Sequence, residues 1–265
     1  MSSLAQADGV DAPVVKKKEQ IRVLPVKGTP QSDASKVFLS FPKPDEVVGS
    51  GKVWVQFRTQ NYSLAAGSSD FERSKEIAIS PEGQTAHVVV DNLPYFTVSQ
   101  QAIDPFNELG NFRLTYYKVP IPYQLQEGPH TLRIFLARSF GESLKEIDSF
   151  QAITFFVGSK EGSKEAPDLG DPYLTYNEPS NELPLRASKP ILLDFYISNC
   201  ELTPDGYKVR LTIDGNYHRM LTSWQPYYIY GMTRGKHTVR LELLDENGAV
   251  APGPFNDVQR TITLE

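Results

Sequence analysis

The feature that most constrains this chain is an internal repeat. The segment GPHTLRIFLARSFG, starting at Gly128, returns as GKHTVRLELLDENG, starting at Gly235, with glycine, histidine, threonine and arginine in the same places. A repeat with a period near the length of a small domain predicts two copies of one structural unit. The 265 residues of the chain are enough for two such domains.

Three further blocks repeat in the same order. VWVQFRTQNYSL from Val53 matches ILLDFYISNCEL from Ile191, and PEGQTAHVVVDN from Pro81 matches PDGYKVRLTIDG from Pro204. Near the end of each copy, FQAITFFV resembles VQRTITLE as a closing strand. Four matched blocks in one order indicate a tandem duplication.

The spacing between matched blocks falls along the chain, which places two insertions in the first copy. One insertion of about 15 residues follows Leu64, and FERSKEIA within it predicts a short turn of helix. A second of about 16 residues follows Asp91 and is rich in aromatic residues: Tyr95, Phe96, Phe106 and Phe112. We expect the second to pack over the first domain or to line an interface. The insertions should emerge at opposite ends of the strand between them, so they should not form one site.

The local pattern of each block is that of a β-strand. Val53, Val55 and Phe57 alternate with Trp54 and Gln56, a period of two that puts one set on a buried face. Segments such as PEG, PDG, DGN and DENG between the runs are turn-forming. Each copy offers roughly seven short strands, the pattern of an immunoglobulin-like or fibronectin-like sandwich. The predicted fold class is all-β, with two tandem Ig-like antiparallel β-sandwich domains.

Composition shifts divide the chain into four predicted segments. Residues 1–20 form a disordered polar tail, residues 21–157 the first sandwich with its insertions, residues 158–171 a polar linker, and residues 172–265 the second sandwich.

The motifs NxxL, the Asp-ended strand, GxHT(V/L)R and the DENG hairpin resemble bacterial Ig-like domains of exported or cell-envelope proteins. The resemblance covers both copies. It implies β-sandwiches with a binding or spacing role and brings no catalytic residues. In some related domains a histidine stands in the strand before the aspartate, as His87 does here, whereas the second copy has Arg210 there.

Net charge and the lack of targeting segments limit the expected binding partners and cellular location. The net charge of −5 argues against nucleic acid, and the basic cluster at Lys16, Lys17 and Lys18 favours a solvated charge run over a membrane-surface role. The sequence has no apolar run long enough for a membrane span and no signal peptide. The polar stretch before residue 21 would suit a tether, which leaves lipid anchoring at the N-terminus open. We favour the cell envelope or the extracellular space over the cytoplasm.

The sequence shows no pattern that predicts catalysis or a cofactor. His130 and His237 are repeat equivalents, which favours a structural role such as a hydrogen bond from the ring to a loop carbonyl. His87 and His218 lack neighbours at metal-ligand spacing. Cys200 is aligned with Tyr62, which favours a small apolar packing residue over a nucleophile. We therefore expect a non-enzymatic protein without a cofactor or metal.

The aromatic stretch SWQPYYIYG, residues 223–231, is the candidate binding site. Ungapped alignment with the first copy predicts that Trp224, Tyr228 and Tyr230 face the core. It predicts that Gln225, Tyr227 and Ile229 face outward, where Tyr227 and Ile229 would form a small apolar patch. Such a patch can bind a protein or stack on a sugar ring, or it can simply be a domain contact.

Three functions remain open from the sequence. The first is a non-enzymatic interaction or spacer protein with a protein or glycan partner. The second is a carbohydrate-binding module that uses Tyr227 and its neighbours. The third is an accessory domain of a glycan-processing system whose catalytic subunit is a separate chain.

Overall fold

A computed structural model describes residues 20–30, 34–69, 71–100, 114–162 and 164–265. The predicted tail therefore lies outside the described residues except for Gln20, as do Phe106 and Phe112 of the second insertion. No helix among the described residues is long and apolar enough to span a membrane.

The chain forms sixteen described strands, of which β4, β12 and β16 alternate buried and more exposed positions as the period of two predicts, whereas β5, β10 and β11 are buried on both faces. The first nine are β1 (Arg22–Pro25), β2 (Lys36–Phe41), β3 (Val47–Val48), β4 (Trp54–Gln60), β5 (Thr85–Val90), β6 (Phe96–Val98), β7 (Leu114–Pro120), β8 (Gly128–Ala137) and β9 (Phe150–Val157). The others are β10 (Tyr173–Glu178), β11 (Ile191–Ser198), β12 (Lys208–Ile213), β13 (Tyr217–Leu221), β14 (Tyr227–Tyr230), β15 (Gly235–Leu244) and β16 (Asp257–Leu264).

Two short helical turns accompany the strands of the first domain. The helix α1 (Arg73–Glu76) lies in the first insertion, where the sequence predicts a turn of helix. A 3₁₀ turn (Ile147–Ser149) leads into β9. The described part of the chain is otherwise strand and loop, so the prediction of an all-β fold is confirmed.

The first sandwich consists of two sheets, with strand orders β2-β4-β7 and β3-β9-β8-β5-β6. The short β3 runs parallel to β9, while the other pairings are antiparallel. Alternate residues of both sheets meet in one core that includes Val55, Phe57, Val88, Leu132 and Phe155.

The second sandwich has sheets of order β13-β12-β15-β16 and β1-β14-β11-β10. Its core includes Leu193, Phe195, Leu211, Val239 and Leu241. Positions matched by the repeat have the same backbone geometry: Asn61 and Asn199 both have positive φ, at 53° and 60°. In each case the asparagine side chain donates to a carbonyl of the preceding segment.

β1 joins the second sandwich although its residues precede the first. Arg22–Pro25 pairs antiparallel with Tyr227–Tyr230, and the Val23 side chain is fully buried in the second core. The free edge of β14 and the apolar Val23 explain this pairing, because an unpaired strand edge accepts any compatible strand within reach. The range 21–157, predicted as the first domain, therefore opens with a strand that belongs to a sheet of the second sandwich. The chain passes from one sandwich to the other twice.

Candidate functional site at the junction of the sandwiches

The aromatic stretch that the sequence singles out has its faces reversed in the structure. Tyr227 is 3% exposed and Ile229 is fully buried, and both lie in the core of the second sandwich. Gln225 is half-buried, and its amide donates to Ser223 Oγ. The prediction that Tyr227 and Ile229 form an exposed patch is wrong, and these residues present no surface to a ligand.

A one-residue shift in the alignment of the copies explains the reversal. Val55 pairs with Val119 in the first sandwich, and its repeat equivalent Leu193 pairs with Tyr227 in the second. Val119 is thus the counterpart of Tyr227, one position away from the ungapped alignment. Because strand side chains alternate, a slip of one residue exchanges the buried and outward sets.

The residues on the other face of β14 lie at the junction of the two sandwiches instead of in a core. Tyr228 is 3% exposed and packs with Ile77 of the first insertion, Phe140 and Leu192. Tyr230 packs against the same cluster, whereas Trp224 remains 36% exposed. The prediction of a core position is therefore wrong for Trp224, and Tyr228 is buried by the other domain.

The repeated histidines form the same structural unit twice. His130 Nδ1 lies 2.8 Å from Asp91 Oδ2, and its Nε2 lies 2.8 Å from the Gln126 carbonyl oxygen. His237 Nδ1 lies 2.6 Å from Asp214 Oδ2, and its Nε2 lies 2.8 Å from the carbonyl of Thr233. The predicted bond from each ring to a loop carbonyl is confirmed. Each pair ties a strand start to the preceding hairpin.

The charge state of His130 follows from its partners. Burial lowers the pKa of this histidine, but the hydrogen bonds to Asp91 and Gln126 and the charge of Asp91 raise it more, so the net shift is upward. Both partners only accept hydrogen bonds, so the geometry suits a protonated ring. A ring held this way has no free nitrogen for acid–base chemistry.

The junction holds a group of buried polar residues around Asp194. Lys145 of the first sandwich lies with its Nζ 2.7 Å from Asp194 Oδ1, and Asp194 is fully buried on β11. Lys145 also donates to the Phe195 carbonyl at 2.9 Å. Ser143 and Asn177 both donate to Asp194 Oδ2. The carboxylate is therefore hydrogen-bonded on both oxygens, as a buried charge requires.

A second group of polar contacts crosses the junction beside the first. His87 Nδ1 lies 2.8 Å from Asn177 Oδ1, and the His87 ring stacks on Tyr95 with 3.9 Å between centroids. The Tyr95 hydroxyl donates to Glu178 Oε1 at 2.5 Å. Burial lowers the pKa of His87 to about 4, despite the hydrogen bond to Asn177 and the charge of Asp194, and it raises the pKa of Glu178 to about 7. At neutral pH His87 is thus uncharged, and the carboxyl group of Glu178 is about half protonated.

Arg133 adds a third link between the sandwiches. Its guanidinium is about 1% exposed and donates to the carbonyl of Leu174 and the hydroxyl of Thr175, at 3.1 and 3.0 Å. It also lies over the ring of Phe255, 4.2 Å from the centroid. Burial lowers the pKa of Arg133 to about 10, so the group keeps its charge. A buried cation that reaches across two domains favours one relative orientation of them.

Apolar contacts complete the junction. Tyr196 of β11 packs against Phe135, Phe150, Val89 and Tyr95 of the first sandwich. Its ring lies 4.6 Å from that of Phe150, and its hydroxyl donates to the Leu144 carbonyl. This cluster and the one around Tyr228 supply apolar contacts between the two sandwiches.

A pocket of about 130 Å³ opens at the edge of the junction. It is lined by His87, Tyr95, Glu82, Arg138 and Glu182, with further loop residues. Asn177 is the hydrogen-bond partner of His87 among the described residues, so no nucleophile there is paired with this ring. No group of three or more metal-ligating side chains occurs among the described residues either.

Cys200 and His218 lie apart from the junction. Cys200 packs against the second core, and burial raises the pKa of its thiol to about 11, so it stays protonated. His218 Nδ1 lies 3.1 Å from the Thr212 hydroxyl on an exposed hairpin. Lys16, Lys17 and Lys18 fall outside the described residues.

No family model matches this chain, and no curated protein does either. Among solved structures, it is similar to the fibronectin(III)-like modules of CbhA from Clostridium thermocellum, at 12% identity and a TM-score of 0.29, over 86% of this chain and 94% of that one. It is also similar to SGBP-B from the mixed-linkage glucan utilization locus of Bacteroides ovatus, solved in complex with a mixed-linkage heptasaccharide, at 13% identity and a TM-score of 0.19. That match covers 93% of this chain and 48% of SGBP-B. At these TM-scores the β-sandwich assignment rests on the strand topology alone.

The junction residues were not predicted from the sequence, although the sequence carries a signal for them. Asp194 interrupts the apolar run ILLDFYIS, and Asn177 and Glu178 end the run YLTYNE. A charged residue in a strand that is apolar on both faces must find a buried partner. Such a strand is covered on both sides, and the cover on the second side is the other domain.

Proposed function

We propose that this chain is a non-enzymatic interaction or spacer protein of the cell envelope or the extracellular space, in which two Ig-like domains are fixed to each other. The observation that carries the proposal is the buried polar junction around Lys145 and Asp194. Interfaces between domains that move freely are small and solvated, whereas a buried, fully hydrogen-bonded network favours one arrangement. A fixed pair of sandwiches suits a protein that holds its ends at a set distance.

The histidine pairs support a non-catalytic role. In both copies the histidine bonds to an aspartate and a loop carbonyl, a geometry that stabilises a strand start. The equivalent histidines make the same hydrogen bonds in both domains, which is typical of residues with a structural role. The third histidine of note, His87, is closed between the domains and stacked on Tyr95.

Location is tested on intact cells that express the native open reading frame. Protease added outside should degrade an envelope or extracellular protein, or the protein should appear in the periplasmic or culture fraction. A protein that resists protease until lysis and fractionates with the cytosol would contradict the proposed location.

The absence of turnover is tested with the purified full chain. We expect no hydrolysis of model esters, glycosides, peptides or phosphate esters above buffer. The variant His87→Phe, which replaces the most buried imidazole, is the matched control. Turnover that co-purifies with the chain and disappears in a folded His87→Phe variant would show an enzyme instead.

A further inference from the structure

One sheet face of the first sandwich combines exposed aromatic and basic side chains. It is the outer face of the sheet β2-β4-β7, which lies opposite the core. Its central strand β4 directs Trp54, Gln56, Arg58 and Gln60 outward, while Val55, Phe57 and Thr59 are buried. Trp54 is 37% exposed, one of the few large apolar side chains at the surface.

Two lysines lie over the indole ring of Trp54. The ammonium groups of Lys52 and Lys118 lie 5.4 and 5.3 Å from the ring centroid. Lys118 stands on β7, paired in register with Gln56 of β4. An indole with two ammonium groups over its ring combines an aromatic surface and positive charge in one place.

The same features recur further along β4. Arg58 lies over the ring of Phe38 on β2, with 4.6 Å from its central carbon to the centroid. Gln60 follows on the same face, and its amide has no hydrogen-bond partner among the described residues. From residue 54 to residue 58 the strand spans about 13 Å, so the face fits an extended ligand longer than one sugar ring.

The face is basic in a chain that is acidic. The strands KVFLSF, WVQFRTQ and LTYYKVP contain no acidic residue, although the net charge of the chain is −5. Lys36 is paired with Asp148, whereas Lys52, Arg58 and Lys118 form no ion pair with a described residue. Three cations on one face that have no acidic partner among the described residues attract a ligand with regularly spaced negative charges.

We propose that this face, defined by Trp54, Lys52, Lys118, Arg58 and Gln60, binds a carboxylate-bearing polysaccharide. The proposal rests on the proposed interaction role and names its ligand class. A pyranose ring can stack on the indole when the ammonium groups of Lys52 and Lys118 move off it, and its carboxylate can then pair with these lysines. Its hydroxyls can bond to the amide of Gln60. Three cations are few for nucleic acid in an acidic chain, and a flat face with a polar amide suits hydroxyl groups better than lipid tails.

The test measures binding of the full chain to polygalacturonate and to neutral dextran, at low ionic strength and at about 0.15 M salt. We expect saturable binding to polygalacturonate that weakens with salt, and none to dextran. Trp54→Ala should weaken binding about tenfold. Lys118→Ala should weaken it about threefold and reduce the salt dependence.

Matched controls come from exposed residues of the second sandwich. Met220→Ala removes an exposed apolar side chain and Lys189→Ala an exposed cation, and both should leave binding unchanged. The urea midpoint of each variant, followed by tryptophan fluorescence, which Trp224 alone supplies in Trp54→Ala, confirms that it is folded. Lys118→Ala keeps the test decisive if Trp54→Ala does not fold.

Three results would overturn the proposal. They are no binding to polygalacturonate at low ionic strength, binding that Trp54→Ala and Lys118→Ala leave intact, and preferential binding to phosphatidylglycerol vesicles or duplex DNA through the same residues. A failure here is separate from failure of the interaction role, because cell-surface location and a fixed junction are measured without this ligand.

Discussion

Lys145 Nζ lies 2.7 Å from Oδ1 of Asp194, and this buried pair joins the first sandwich to the second. Asp194 is fully buried and Lys145 is 18% exposed at its side chain. Burial lowers the pKa of Lys145, while the charge and hydrogen bond of Asp194 act in the opposite direction. The stability of the junction therefore depends on the Lys145 ammonium and the Asp194 carboxylate both being present.

Lys145→Met should destabilise the protein strongly. The variant leaves the Asp194 carboxylate buried with Asn177 and Ser143 as its remaining donors, and loss of one partner of a buried pair costs about 3 kcal/mol. Urea unfolding measures the change in the free energy of unfolding. The control is Lys75→Ala, which removes an exposed pair with Glu72 and should change stability by less than about 0.5 kcal/mol. Equal effects of the two variants would contradict the role of Lys145.

Tyr227→Ala and Gln225→Ala together test the corrected register of β14. Tyr227 fills the second core, so its truncation should cost about 3–5 kcal/mol, whereas Gln225→Ala should cost less than about 0.5 kcal/mol. Thermal and urea unfolding measure both. A neutral Tyr227→Ala variant would restore the outward orientation predicted from the ungapped repeat.

His130→Ala should lower stability in a pH-dependent way. The pKa of His130 is raised in the folded state, so its contribution is full below the unfolded pKa of about 6.5 and is lost as pH rises through the folded pKa. We expect a loss of about 1–2 kcal/mol at pH 5.5 and a smaller loss at pH 9. A destabilisation that is the same at both pH values would show that the charged hydrogen bond to Asp91 contributes nothing.

Glu178 should make the protein less stable as pH rises from about 5 to 8. Its pKa is raised from 4.5 to about 7, chiefly by burial, so the folded state binds the proton more tightly in that window. By linkage, this group lowers the free energy of unfolding by up to about 3 kcal/mol between those pH values. Glu178→Gln should flatten the pH dependence. The test compares the slope of unfolding free energy against pH in the unchanged chain with the slope in Glu178→Gln. The absolute stabilities are not compared, because the amide also replaces the carboxylate that accepts from the Ser180 N–H. An unchanged slope would contradict the assignment.

Much of the architecture follows from local pattern. The period of two at Val55 and Phe57 and the turn segments predict strands and sandwiches, and the matched blocks predict the repeated bonds from His130 and His237 to loop carbonyls. The orientation of Tyr227 could not be predicted without a gap in the alignment, because one residue reverses every face. The pairing of β1 with β14 depends on which sheet edge is free, and that is decided only when both domains are packed.

The junction was beyond prediction for a similar reason. Asp194 and Glu178 carry a sequence signal of buried charge, but their partners Lys145 and Tyr95 stand at least 49 residues away along the chain. The aromatic and basic face around Trp54 is likewise assembled from three strands, so its pattern is visible only in the sheet.

We infer that the two sandwiches keep one relative orientation. Spin labels at Ser50→Cys and Lys236→Cys, both exposed, in a Cys200→Ser background allow the distance across the junction to be measured by pulsed electron paramagnetic resonance. We expect one narrow distance distribution that broadens when Lys145→Met and Arg133→Met are introduced together. A broad distribution in the otherwise unchanged chain, equal to that of the junction variant, would contradict the claim.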